Sequence, residues 1–544
     1  MNRKQINIYL PILIAVSVII GIVLGNSLSR NQGASLQNLT PTKNNKLSTI
    51  IELINQAYVD SVSTSELVEK TIPELLKNLD PHTAYIPARD MQEVHEEMQG
   101  NFGGIGVQFS IHNDTVQVID VVSGGPSYQL GILPGDRIVT VNDSVIAGVD
   151  IKNQDVLTVL RGEKGTNVRI GVKRKSIPDL IEFEITRGDI PIYSIDVSYM
   201  IDETTGFVKV NRFAEKTYDE FTEAIAKLQS SGAKKIIVDL RGNPGGYLMA
   251  VVNMVNEFLP EGRQIVYTEG NAQARKNYTA TKGGIALDNE VIVLIDEYSA
   301  SASEIFAGAI QDNDRGLVVG RRSFGKGLVQ EQIPFRDGSA LRLTVARYYT
   351  PSGRSIQKPY TDGNTDYYHD IMNRAEHGEF QEADSIQFAD SLKFETSSGR
   401  TVYGGGGIMP DYFVAADTSG YSDYYSKVTQ KALVYHFAFQ YSDLNREKLK
   451  ELKTAAEFVD YLGRQQILDQ FIAYANEKGV KNDPKGLAAS GKIIETQIKA
   501  YIARNIIGEE GFFPIIQEID ETLKEAIRLS HSKKQLSQLL AVTK

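Results

Sequence analysis

Residues 291–330 read VIVLIDEYSASASEIFAGAIQDNDRGLVVGRRSFGKGLVQ, and the fold expected of the chain follows from that stretch. Val291 to Ile295 is a β-branched run with the length of a buried strand, closed by Asp296 and Glu297. The small residues Ser299 to Ser303 follow, and then a helical pattern with Ile305, Phe306, Ala309 and Ile310 on one side. A second strand-like run, Leu317 to Gly320, leads into Phe324-Gly325-Lys326-Gly327, where a lysine stands between two glycines. A serine at such a strand-to-helix turn lies beside N–H groups that have no partner inside the helix, so negative charge developing there is stabilised. Acyl transfer needs that. Ser301 with Glu304 three residues on also fits a capping box, and Lys326 alone fits an ordinary turn.

Working outward, the same alternation precedes this stretch. Gly206 to Arg212 reads as a strand, Tyr218 to Leu228 as an amphipathic helix, Lys235 to Leu240 as a buried strand, and Leu248 to Leu259 as a helix. This is the pattern of a layered α/β domain. Between the last two comes Arg241-Gly242-Asn243-Pro244-Gly245-Gly246, whose consecutive glycines let backbone N–H groups approach a ligand; Gly246 is a candidate oxyanion donor. Leu341 to Thr350 is a further strand candidate, and residues 360–400, polar and acidic, read as an excursion at the surface.

A β-rich module starts at Gly100. Its glycine-rich Phe102 to Phe109, its GxxPGDxIxxVND pattern ending at Asp143 and its RGxxGTxV close at Arg161 to Val168 together resemble a PDZ domain. The resemblance implies capture of an extended peptide by strand addition, the terminal carboxylate held by N–H groups around Gly104 and Gly106. Ile105 and Val107 belong to the same contact set, and Arg161 stands where a PDZ residue would sense the tail and signal to the active site.

The order DLRGNPGG, SASASE, FGKG with Gln330 four residues beyond the lysine resembles the C-terminal processing, or tail-specific, serine peptidases. So do the PDZ-like module and the LDPHTAYIP segment before it, and the likeness covers roughly residues 45–415. The resemblance implies Ser301 as nucleophile, Lys326 as general base, Gln330 as the residue orienting the lysine, and the N–H groups of Gly246 and Ala302 as the oxyanion hole. The residues support those roles on their own terms. A lysine at its ordinary pKa of ~10.4 is protonated and cannot take a proton, so it must lose hydration. Flanking Phe324 and Leu328, and the close packing that Gly325 and Gly327 allow, would provide that. All seven histidines lie outside residues 291–330, which weakens a Ser-His-Asp reading. His82, after a proline, reads as structural. No HExxH and no clustered ligand set occurs, so no metal or cofactor is expected.

Composition sets the outer limits. A chain of 544 residues holds several domains, a net charge of −10 argues against nucleic acid as a partner, and the absence of cysteine removes disulfides and thiol nucleophiles. Ile8 to Gly25 is an uncharged apolar run behind Arg3 and Lys4, which reads as an uncleaved membrane anchor with the rest of the chain exported. A cleaved signal peptide, leaving a soluble periplasmic protein, is the alternative. The expected protein is multidomain α+β. It has a cytoplasmic stub at 1–7, an anchor at 8–25, a linker at 26–42, a helical segment at 43–98 and a PDZ domain at 99–187. A layered α/β (crotonase- or Clp-like) serine protease core at 188–415 and a C-terminal helical extension at 416–544 complete it. The extension shows no chemistry, and its apolar stripes would pack on the protease or on another subunit as a homodimer or higher oligomer. Expected partners are proteins or peptides with exposed apolar C-termini, the bacterial inner membrane, and an adaptor protein as a further candidate. The competing function is a non-catalytic PDZ scaffold, against which the retention of Ser301, Lys326, Gln330 and the glycine turn together weighs. An acyl-CoA enzyme of crotonase type explains neither the PDZ signature nor the export signal.

Overall fold

A computed structural model describes residue 20 and residues 46–540 apart from 123, 175, 176, 362, 387 and 388. The chain forms two compact units, residues 1–78 and 79–544. The described part of the first consists of the helices Lys46–Ala57 and Thr64–Leu76, the second opened by Ser63, whose hydroxyl accepts the Glu66 N–H at 3.4 Å. The anchor expected at residues 8–25 lies, Ile20 apart, outside the described residues. Among the described residues no helix is long and apolar enough to cross a membrane.

In the second unit, the PDZ-like module is a five-strand antiparallel path, Val107–Ile111, Val116–Val121, Arg137–Val141, Asn167–Lys173 and Ile181–Thr186, with Val107–Ile111 at one edge. Val116, Val118, Ile138, Val168 and Ile170 alternate inward and bury against Val156 and Leu160 of the helix Asn153–Leu160.

The peptidase core is a six-stranded sheet in chain order: β1 (Ile195–Met200), β2 (Thr205–Val210), β3 (Lys235–Asp239), β4 (Glu290–Ile295), β5 (Leu317–Gly320) and β6 (Tyr412–Phe413). The first pair is antiparallel and the rest parallel. Both faces are buried, which is why β3 and β4 read as unbroken apolar runs. Val291, Val293 and Ile295 face a core shared with α1 (Thr217–Ser230), α2 (Leu248–Asn256) and α3 (Ala302–Asp312). Ile292 and Leu294 face the other way, into a second core. A second sheet is built on the strand Ala340–Tyr349, which pairs with Leu328–Pro334, Gln264–Glu269 and Ala84–Ile86. The LDPHTAYIP segment is thereby part of the second unit.

One region differs from its expectation, and another meets it in part. Residues 360–400 include α4 (Asn364–Glu376), whose Tyr367 and Arg374 are buried against the loop that carries Lys326. The segment looked like a surface excursion because its inward-facing residues are polar ones with partners. The extension beyond residue 416 has a core of its own, in which Phe437 of α5 (Leu433–Leu449) packs with Phe458, Phe471 and Ile498. Its last part packs on the protease, one of the two packings expected of its apolar stripes. Leu523, Ala526 and Leu529 of α6 (Glu521–His531) bury against Phe207, Ile237, Ile292, Leu294 and Val319, so this helix supplies the cover for the second face of the catalytic sheet.

Candidate active site

Ser301 stands at the C-terminal end of β4, as the N-cap of α3, with φ 55° and ψ −111°. A non-glycine residue in that region is strained, and a strained serine on a strand-to-helix turn is the geometry that lifts a nucleophile out of its surroundings. The neighbouring loop is shaped to it. A Cβ on Gly245, whose φ is +102°, would lie 2.7 Å from the Ser301 Cβ and 2.9 Å from the Ala302 nitrogen. A Cβ on Gly246 would lie 2.1 Å from the Phe213 carbonyl oxygen. The peptide chain therefore runs against the serine where only glycine fits. Ala302 is buried and Gly246 is exposed, and among the described residues neither N–H donates a hydrogen bond.

Glu304 joins the serine turn to the lysine loop. It is fully buried, and its carboxylate accepts the N–H of Ser301 at 2.8 Å, of Gly325 at 2.7 Å and of Lys326 at 2.8 Å, as well as the Ser323 hydroxyl. Burial pushes its pKa up to about 7 while the four donors pull the other way. Tyr348, also buried, reaches the same two residues from the second sheet. Its hydroxyl lies 3.0 Å from the Ser301 carbonyl and within hydrogen-bond range of the Lys326 carbonyl. The capping-box pattern revealed Glu304 as a helix cap; its grip on Lys326, and the whole contribution of Tyr348, left no sequence signal.

Lys326 is half-buried, and its amine is held below the ordinary lysine range by burial and then by the Arg342 charge, against the pull of Glu304 and Asp80. The glycines beside it pack as expected. A Cβ on Gly325 (φ +89°) would lie 3.2 Å from the Gly407 nitrogen, and one on Gly327 would lie 2.9 Å from the Gln357 nitrogen. Around the loop, Arg374 donates to the carbonyls of Ser323 and Arg322 at 3.0 and 2.6 Å. The Tyr367 ring meets Phe324 edge-on at 5.8 Å. Lys358 sits 3.9 Å from the Phe324 ring centre and 4.2 Å from that of Tyr367, paired with Asp370 at 2.9 Å.

Gln330 is placed otherwise than its sequence role requires. Its amide donates to the Thr344 hydroxyl at 3.3 Å, and among the described residues no hydrogen bond joins it to Lys326. Thr344 in turn donates to Asp80 at 3.0 Å, and Asp80 also accepts the N–H groups of His82 and Thr83 at 2.9 Å each. His82 bonds the Tyr367 hydroxyl at 2.8 Å, and burial, followed by the Lys326 charge, brings its pKa down to about 4. It is a neutral structural histidine, as its position after a proline suggested, but it stands within the electrostatic reach of the lysine.

In the PDZ-like module the N–H groups of Ile105 and Gly106 have no hydrogen-bond partner among the described residues. Gly104 is buried and pairs with Gly188, and Val107 begins the open edge strand. Arg161 packs over the Phe102 ring at 4.4 Å and lies 3.7 Å from Glu96. The start of that edge thus has two N–H groups without partners among the described residues, and the strand Asn101–Gly104 just before it carries the Phe102 ring that Arg161 covers.

A strained serine beside unpartnered N–H groups, tied through one carboxylate to a lysine of lowered pKa, is equipped for acyl transfer. Comparison with known proteins agrees with that chemistry. The model of peptidase family S41 matches residues 204–366, that of a PDZ domain residues 103–185, and that of a family of unknown function, DUF8443, residues 424–508. The carboxy-terminal-processing protease of Bartonella bacilliformis is 35% identical over 313 residues, 57% of this chain and 71% of its own. The carboxy-terminal processing protease CtpA of Bacillus subtilis is 30% identical over 363 residues, 65% of this chain and 76% of its own. A solved photosystem II D1 C-terminal processing protease aligns at 27% identity over 56% of this chain and 88% of its own, with a TM-score of 0.33. The chain belongs to the carboxy-terminal processing proteases of peptidase family S41. It is a serine peptidase that carries a PDZ domain, which removes the non-catalytic scaffold reading.

Proposed function

We propose that the protein is a Ser-Lys endopeptidase that selects envelope proteins by their C-terminal tails. The observation that carries the catalytic half is the Glu304 carboxylate bonded at once to the Ser301 and Lys326 N–H groups, which brings the backbone of the two residues to one carboxylate. Neutral Lys326 takes the Ser301 proton as Oγ attacks the peptide carbonyl. The oxyanion is received by the N–H groups of Gly246 and Ala302, and the ammonium of Lys326 returns its proton to the leaving amine as the C–N bond breaks. Water, deprotonated by the same lysine, then releases the acyl group and restores the serine. Gln330 orients Lys326 in the working state. It does so by exchanging its present partner, the Thr344 hydroxyl 3.3 Å away, for the lysine amine.

The free N–H groups of Ile105 and Gly106 receive the tail carboxylate, the strand from Val107 pairs with the tail, and Arg161 reports its presence. The apolar run at 8–25 anchors the protein in the inner membrane with its catalytic part outside the cytoplasm.

The test is cleavage of an unfolded protein with an apolar C-terminus by wild type, Ser301→Ala and Lys326→Ala. Loss of turnover by roughly 10³-fold or more is expected of each. Unchanged cleavage by either variant ends the dyad assignment. Amidation of the substrate's C-terminus should slow cleavage, and equal rates remove tail recognition from the account.

A further inference from the structure

Arg241 begins the loop that ends at Gly246, and its guanidinium lies between two carboxylates. Nε and Nη2 donate to Asp239 of β3 at 3.0 and 2.7 Å. Nη1 and Nη2 donate to Asp520 at 2.8 and 2.6 Å. Asp239 belongs to the same strand end. Asp520 comes from the C-terminal extension, where its Oδ1 also accepts the Leu523 N–H at 3.0 Å and so caps α6. It is fixed by its own helix, and that helix is fixed in the sheet's second core. From Arg241 the loop runs to Asn243, whose carbonyl accepts the Ala300 N–H at 3.0 Å and whose side chain accepts the Gly245 N–H at 2.8 Å. Gly245 then abuts Ser301.

We propose that Asp520 is a positioning residue for the peptidase reaction, holding Arg241 so that the loop presents the Gly246 N–H to the developing oxyanion. The proposal rests on the oxyanion assignment above. A bidentate carboxylate–guanidinium pair fixes orientation as well as distance, which suits it to registering a loop whose far end must be placed to a fraction of an ångström. It gives the C-terminal extension a part in catalysis, although none of its described residues has a hydrogen bond to the serine.

Asp520→Asn keeps the helix cap and the side-chain volume while removing the charge; Asp520→Ser keeps only the cap. Each should lower kcat about 10- to 100-fold with KM within about twofold, because the interaction lost is made in the transition state alone. Inactivation by a fluorophosphonate, whose phosphoryl oxygen occupies the same hole, should slow in parallel, and Asp520→Glu should recover part of the rate. His531→Ala is the control. It breaks the contact with Asp202, 3.0 Å away at the other end of α6, and should lower thermal stability while leaving kcat unchanged. Full kcat in folded Asp520→Asn and Asp520→Ser overturns the proposal, as does a kcat loss that His531→Ala reproduces. Ser301→Ala run alongside separates the two readings: if it stays active the oxyanion assignment itself fails, and if it is dead while both Asp520 variants keep full kcat, only the strut fails.

Discussion

Ser301 and Lys326 meet on one carboxylate, but what holds each of them differs. The serine turn is fixed from close by, through a strained φ of 55°, a loop of glycines pressed against it, and backbone bonds such as Ala300 N–H to the Asn243 carbonyl. The lysine loop has backbone bonds as well, from the Phe324 N–H to the Ser299 carbonyl at 3.0 Å and from the Lys358 N–H to the Gly325 carbonyl at 2.9 Å, but it is also held from afar by side chains, Arg374 of α4 and Tyr348 of the strand Ala340–Tyr349. The difference lies in Ser301 itself: a serine held at a positive φ persists only where its surroundings fix it, so the serine half is preformed. Side-chain packing has alternatives, and Gln330 is already in one of them.

Gly245→Ala tests the preformed half most harshly. Its Cβ would displace the Ser301 Cβ and the Ala302 nitrogen, and kcat should fall by about 10²- to 10³-fold, the cost of losing an oxyanion donor. Wild-type kcat in this variant would mean the turn is softer than its geometry implies. Glu304→Gln cuts the link between the halves, since an amide oxygen cannot serve all four donors, and a loss of about 100-fold in kcat is expected with KM little changed. Tyr367→Ala opens the lysine side to water. Burial is what lowers the Lys326 pKa, so hydration should raise it and move the acid limb of the kcat/KM–pH profile to higher pH, with activity lost near neutrality and regained in alkali. An unmoved profile would show that the desolvation comes from elsewhere. Thr344→Val has the smallest effect. It frees Gln330 from its partner, and cleavage in the absence of a PDZ-bound tail should rise a few-fold, about the worth of one hydrogen bond.

The same contrast marks what could be read from the sequence. Strands β3 and β4 were legible because burial on both faces leaves an unbroken apolar run, and Ser301, Lys326 and the glycine loop because their chemistry depends on local turns. Tyr348, Tyr367 and Asp520 were not. Periodicity reports which way a residue faces, never which distant segment it meets, and these three act across separations of 22 to 279 residues. Arg374 shows a second reason. A buried arginine whose charge is answered by Glu379 and two carbonyls is indistinguishable in the sequence from one in water.

The helix Glu521–His531 closes the second face of the catalytic sheet, and the ribosome makes it long after the strands it covers. Until it arrives, Phe207, Ile237, Ile292, Leu294 and Val319 have no cover from it. The nascent chain therefore carries Ser301 and Lys326 well before it can finish its core, so the peptidase stays unfinished while the chain is being made. Leu529→Ala, which trims that closing contact and costs about 2–5 kcal/mol of stability, should show as a slower gain of activity during refolding while the folded enzyme keeps its kcat.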